Sequence, residues 1–365
     1  DPRELTTEEV ENQIRQGKAV VAMTMGAHAA EVAGTQMSSE LAYELITSSS
    51  EEVQEILDEV VLLIFPSLNP DGQIMVVDYY NRWLGTEYEG GELPFLHHKY
   101  CGGENNRDGF MMSHKETQLF SRVVYHEWFP QAHVDFHQMR SYVARYWIPP
   151  YSDPIHPDLD PMVLWEHQLY GAHMAVKLEE AGKSGVVCGT DFPLWSMVYD
   201  GHVTNWHNIC GMLTEASALR IASPIYVEHS QLKPMFRGMY RYEAQHNFPN
   251  PWPGGWWKLR DALEYQKISA LATLEVAAKW KKTILRNMYL KAMRNVEKGM
   301  SGPPYAFIIS PEQHDPLTAV KMLMILEMAG VEIHRAQSDF RVTGALYPKG
   351  TYVVFLAQPL RGYVK

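Results

Sequence analysis

A histidine and a glutamate three residues apart, His28 and Glu31, follow an apolar and β-branched run, Val20-Val21-Ala22-Met23-Thr24-Met25, that ends at Gly26. At that spacing an imidazole nitrogen and a carboxylate lie on one side of a starting helical turn and converge on a single metal ion. Such a pair recurs by chance, so its weight depends on what lies downstream. Ala132-His133-Val134-Asp135-Phe136-His137 has the period of two of a strand, which places His133, Asp135 and His137 on one face. His137 is the favoured further ligand, because Asp135 stands where a carboxylate would hold the ring's other nitrogen. His133 is the alternative. Ile209-Cys210-Gly211-Met212-Leu213-Thr214-Glu215 reads as a buried strand with an acid at its carboxyl end, which makes Glu215 a candidate base. Asn106 and Arg107, between the glycines of Gly102-Gly103-Glu104-Asn105-Asn106-Arg107-Asp108-Gly109, are either solvated or a guanidinium fork for a carboxylate. His97-His98 reads as a solvated or packed pair, since adjacent side chains diverge.

Strand-to-helix junctions must position these groups, because ligand sites of open α/β sheets lie outside the carboxyl ends of the strands. Residues 6–17 read as a short helix, followed by a buried strand over 19–25, helical spacing up to about 47 and a further helix over 51–60. Val60-Val61-Leu62-Leu63-Ile64-Phe65 is a continuous apolar run expected as a central strand. It leads into Asn69-Pro70-Asp71-Gly72, a turn sequence. Residues 78–109 are aromatic, glycine-rich and irregular, as suits an excursion over the strand ends. Residues 115–129 and 161–182 read as helices, and the aromatic stretches 142–151 and 192–207 as loops beside a pocket. Residues 258–298 form one long helical pattern, and Gly299-Met300-Ser301-Gly302-Pro303-Pro304 reads as a linker. Strand, helix and strand patterns follow to the end, without a glycine-rich phosphate fingerprint.

The chain has 365 residues, 46% hydrophobic and 21% charged, enough for a substantial core. Its net charge of -11 argues against a nucleic-acid backbone or an anionic membrane as the main partner. Cys101, Cys188 and Cys210 are widely spaced and form no CxxC, so zinc is expected to use histidine and carboxylate.

Taken in order, these residues resemble the zinc carboxypeptidase family, most of all the bacterial branch with a C-terminal amidotransferase-like domain. His28-Ala29-Ala30-Glu31 matches the first zinc motif, Asn69-Pro70-Asp71-Gly72 the turn after the next buried strand, and His137 the third ligand. Asn106-Arg107 matches the pair that grips the substrate's terminal carboxylate, and Glu215 in Leu213-Thr214-Glu215 the general base. The resemblance further offers Arg82 for the arginine at the oxyanion and Tyr199 for the tyrosine near the scissile bond. It implies a mixed, mostly parallel twisted α/β sheet flanked by helices, over residues 1–255. A helical connector over 256–302 and a partial flavodoxin-like or amidotransferase-like α/β unit over 303–365 would follow. Both ends look cut, so the chain is expected to be a piece of a longer one. The resemblance also implies one Zn2+ ion, hydrolysis of the C-terminal peptide bond of peptides, and a periplasmic or secreted location. Two rival readings are a zinc amidohydrolase acting on small N-acyl amino acids and a non-catalytic zinc-binding homologue.

Overall fold

Thr6 opens the first helix, α1 (Thr7–Gln16), through a capping box with Glu9, and the chain then enters β1 (Ala19–Met25). The computed structural model describes residues 1–96, 98–101 and 104–365; His97, of the His97-His98 pair, and Gly102 and Gly103, which open the glycine-flanked stretch, lie outside the described residues. β1 leads into α2 (Val32–Thr47) and α3 (Glu51–Glu59), then β2 (Val60–Phe65) and α4 (Pro70–Trp83). Asn69-Pro70-Asp71-Gly72 therefore starts a helix rather than a bare turn. The Asn69 side chain accepts from Gly72 N at 3.1 Å, and Pro70 occupies the first turn, where its missing N–H costs nothing.

After α5 (Lys115–Ser121), β3 (Ala132–Met139), β4 (Tyr146–Trp147), α6 (Pro161–Glu180), β5 (Val186–Val187), α7 (Asp200–Val203) and β6 (Cys210–Ser217) complete the main sheet. Its order is β2-β1-β3-β6-β4-β5. β2, β1, β3 and β6 run parallel, whereas β4 is antiparallel to β6. The fold is thus mixed α/β with a mostly parallel sheet flanked by helices. β4 lies inside the stretch 142–151 expected as a loop; it has only two residues, too few for a period to register. β2, expected as a central strand, is an edge of this sheet, and most of it is half-buried.

β7 (Ile225–Val227) pairs with β8 (Gly255–Trp257), and two long helices follow, α8 (Leu259–Lys279) and α9 (Lys281–Ser301). The helical stretch expected as a connector is not a spacer. α8 buries Ala262, Ser269, Ala270, Thr273 and Ala277 in the same core as β1, β3 and β6. Small side chains let its backbone approach the sheet between α2 and α6. α9 is pinned to α6 by the buried pair Lys291–Glu166, with Asn287 Nδ2 donating to the same carboxylate at 3.0 Å.

The C-terminal stretch contains β9 (Ala306–Ile309), α10 (Pro316–Met328), β10 (His334–Arg335), the hairpin of β11 (Phe340–Val342) and β12 (Ala345–Tyr347), β13 (Tyr352–Phe355) and α11 (Arg361–Val364). Its sheet has the order β10-β13-β9, and β13 is antiparallel to both neighbours. That differs from the parallel pairing of a flavodoxin-like or amidotransferase-like unit, because the last strand inserts between the two that flank α10. Ala329, Val331, Val354 and Tyr363 share a core with Val124, Tyr125, Val203 and Trp206. His207 Nε2 meets Ala329 O at 3.0 Å, and Tyr363 Oη donates to Phe110 O at 3.1 Å. No helix among the described residues is long and apolar enough to cross a membrane.

The Lys291–Glu166 pair predicts an asymmetric response. Lys291→Met leaves a buried carboxylate without its cation and should lower the unfolding free energy by about 3–5 kcal/mol, whereas Lys291→Met with Glu166→Leu should recover most of the loss. Urea unfolding of both variants beside the parent checks this.

Candidate functional site

The parallel register sets the site. Thr24 lies beside Asp135 across β1 and β3, and His137 beside Glu215 across β3 and β6, so the ends of these strands bring the candidate groups to one edge. Gly26 turns the chain out of β1 at φ 65, a conformation that L side chains rarely adopt, and a Cβ there would meet Thr35 Oγ1 at 2.8 Å. His28 follows in this turn, and Glu31 occupies the N-cap of α2 without using its side chain as a cap. Gln138, at the end of β3, takes over that duty. Its Oε1 accepts from Ala33 N at 2.9 Å while its own backbone N donates to Glu31 Oε2 at 2.8 Å.

Both histidines turn Nδ1 toward this carboxylate. His28 Nδ1 is 2.6 Å from Glu31 Oε1, and His137 Nδ1 is 3.0 Å from Glu31 Oε2. Each ring's Nε2 faces another carboxylate: Glu104 Oε1 at 2.7 Å for His28 and Asp135 Oδ2 at 2.7 Å for His137. One donor atom from each of His28, Glu31 and His137 lies within 4.8 Å of the others. Two imidazoles and a carboxylate, with carboxylates orienting the rings from behind, fit a zinc ion with an open fourth position. His133 is not part of this set. Its Nε2 lies 2.8 Å from Thr24 Oγ1, which donates onward to Asp135 Oδ1, and burial lowers the ring's pKa to about 4.

The electrostatics follow from burial and charge. Burial disfavours a charged His28, but Glu31 and Glu104 outweigh it and hold the ring up at about 10. Burial likewise opposes charge on His137, yet Asp135 and Glu31 raise it well above its ordinary value. Burial alone would raise Glu31, and the two imidazoles instead pull it down. Glu215 differs. Burial pushes it up to about 8, with Glu31 and Asp135 adding to the rise against the opposing pull of His137 and His28, and its Oε2 has no hydrogen-bond partner among the described residues.

A cavity of about 700 Å3 opens over these groups; its lining includes His28, Glu31, Asn106, Arg107, Tyr199 and Glu215. Arg107 is exposed, with its guanidinium 4.3 Å from the centre of the Tyr199 ring and Nη1 donating to Asn106 O at 2.7 Å. Asn106 is buried and engaged: its Oδ1 accepts from Asp200 N at 2.9 Å, and its Nδ2 lies 3.3 Å from His137 Nε2. Arg82 is elsewhere. It sits exposed in the last turn of α4, its guanidinium 5.3 Å from the Trp83 ring, and does not line the cavity. Because α4 runs on from Asn69, it carries Arg82 about 20 Å along its axis from that cap. The guanidiniums that do line the cavity beside Arg107 are Arg140, paired with Asp191 at 2.6 Å, and Arg237. Sequence reading also missed Glu104. Its partner His28 lies 76 residues away, so no local pattern signals the pair.

No curated protein sequence matches the chain. Among solved structures, a metallo-carboxypeptidase from Pseudomonas aeruginosa aligns at 12% identity and a TM-score of 0.47, over 75% of this chain and 59% of that one. A metallo-carboxypeptidase from Burkholderia cenocepacia aligns at 13% identity and a TM-score of 0.45, over 73% and 57%. An aspartoacylase family protein from Mesorhizobium loti aligns at 15% identity and a TM-score of 0.28, over 52% and 56%. The chain thus spans less than two thirds of the length of each. The family evidence comes from the segment that carries the first zinc motif: residues 3–89, from before α1 to just beyond α4, match the model of the zinc carboxypeptidase family.

Proposed function

We propose that the chain carries the catalytic centre of a zinc-dependent carboxypeptidase that removes the C-terminal residue of peptides. The observation that supports this most is the convergence of both Nδ1 atoms on Glu31 with Glu215 at the adjoining register position. His28, Glu31 and His137 would hold the ion. When bound there, zinc supplies a Lewis acid and lowers the pKa of a water to about 7.

The protein's own groups divide the remaining work. Glu215 takes the proton from the attacking water and returns it to the leaving amine; burial raises its pKa to about 8 without a metal ion, and a divalent cation beside it would pull that value down to where the carboxylate can accept a proton at neutral pH. Arg107 receives the substrate's terminal carboxylate. The Tyr199 ring beneath its guanidinium limits where that charge points. Asn106 serves the site by tying the loop to Asp200, since its amide is already engaged. Asp135 and Glu104 orient the two imidazoles.

Release of the C-terminal residue from blocked dipeptides, set against deacylation of N-acyl amino acids, tests the substrate class. Faster deacylation would overturn the carboxypeptidase reading in favour of an amidohydrolase. Glu215→Gln should keep its zinc and lose about 10²–10⁴-fold in turnover; unchanged hydrolysis would remove Glu215 from the mechanism. Arg107→Ala should raise KM for substrates with a free carboxylate about 10–100-fold, the worth of a charged hydrogen bond, and leave C-terminally amidated peptides unaffected. Because both imidazoles are held protonated in the metal-free site, zinc uptake at neutral pH should release about two protons. Calorimetric titration in buffers of different ionisation enthalpy counts them.

A further inference from the structure

We propose that His98, Cys101 and His114, with Glu116 beside them, form a second zinc site, which clamps the loop that carries Glu104, Asn106 and Arg107. One donor atom from each of His98, Cys101 and His114 lies within 4.8 Å of the others. The His98 side chain is 5% exposed, and its Nε2 stands 3.7 Å from Glu116 Oε1. The rings of His98 and His114 stack with centroids 4.9 Å apart and planes 16° from parallel. His114 Nδ1 is buried and makes no hydrogen bond among the described residues, with Asp108 Oδ2 at 3.6 Å. His98 Nδ1 meets the backbone N–H groups of Tyr100 and Cys101 at 3.3 Å each, the long end of the hydrogen-bond range. A small cavity lined by His98, Asn105, His114 and Glu116 adjoins these groups.

The donor chemistry is specific. Two imidazoles and a thiolate make a three-donor nitrogen and sulfur set, which suits Zn2+ and not Mg2+ or Ca2+ and leaves the fourth tetrahedral position to water or to Glu116. His98 and Cys101 are separated as the ligands of a zinc knuckle are, with one histidine in place of a cysteine, and this is why a search for CxxC passes over the site. The donors sit at both ends of one loop, His98 and Cys101 before it and His114 and Glu116 after it. An ion there closes the loop and restricts the segment between. That segment is docked on the catalytic turn, where Asn105 Nδ2 donates to Ala27 O at 2.6 Å, one residue before His28.

Metal stoichiometry on the full chain tests the proposal, read by elemental analysis after loading with zinc and dialysis. The parent should retain about two ions per chain; Cys101→Ser with His114→Ala should retain about one, as should His137→Ala. Cys101 is exposed, so Cys101→Ser alone leaves the core intact. With Co2+ in place of zinc, the parent and His137→Ala should show the near-ultraviolet thiolate charge-transfer band, and Cys101→Ser should lose it. A single ion in the parent that His137→Ala abolishes, or a second ion that survives Cys101→Ser with His114→Ala, overturns the second site and leaves the proposed carboxypeptidase centre standing. A single ion lost with Cys101→Ser and kept in His137→Ala supports the second site and overturns that centre.

Discussion

Glu31 is a half-buried carboxylate held between two imidazoles, and the charge of that group governs its neighbours. Its oxygens face His28 and His137, whose far nitrogens face Glu104 and Asp135. Three carboxylates with two protonated imidazoles sum to one negative charge. The same carboxylates with two neutral imidazoles and a divalent cation sum to the same value. Exchange of two protons for one ion would therefore leave the charge of the cluster unchanged, although His28 Nδ1 and Glu31 Oε1, 2.6 Å apart, would have to part to admit it. Glu215 is the exception that the cluster does not neutralise. A further negative charge in this enclosure would be uncompensated, and burial keeps its carboxyl protonated to about pH 8.

The sheet meets this demand through register. His137 and Glu215 are partners across β3 and β6, and a slip of one residue in β3 would turn His137 and Asp135 to the opposite face together. Two amides guard against it. Gln138 joins the end of β3 to the start of α2, and Gln266, fully buried on α8, donates from Nε2 to His137 O at 3.0 Å. α8 thus holds the strand end that carries His137, a task that its place after the strands does not suggest.

Legibility in the sequence tracked locality. β1, β2 and β6 are mainly apolar runs and β3 alternates with a period of two, and His28, Glu31, His137 and Glu215 stand near or just beyond the ends of β1, β3 and β6. Glu104 is invisible to such reasoning, because its partner His28 is 76 residues away and only the folded loop joins them. α8 was expected as a helix, but its role was not legible: its buried residues mix Ala262, Ser269, Ala270, Thr273 and Ala277 with Leu263, Tyr265, Leu274 and Val276, and a helical period does not say which sheet such a face packs on. Arg82 fell to local structure, since Asn69 and Pro70 begin a helix whose length moves the arginine away from the cavity.

The loop over residues 104–114 shows how a segment without a strand or a long helix achieves a fixed position. Segments with little regular structure open at low cost unless their polar groups are tied to the rest of the fold. Here the fixing is done by hydrogen bonds to two separate parts of the fold. Asn105 reaches Ala27 O at the turn beside His28, while Asn106 Oδ1 accepts from Asp200 N and Gly109 N donates to Val198 O, on either side of Tyr199. Arg107 lies between these attachments and over the Tyr199 ring, so its position relative to His28 is set by backbone groups on both sides of the cavity. Both attachments are buried from solvent, and Met112, further along the loop, anchors it in the adjoining apolar core.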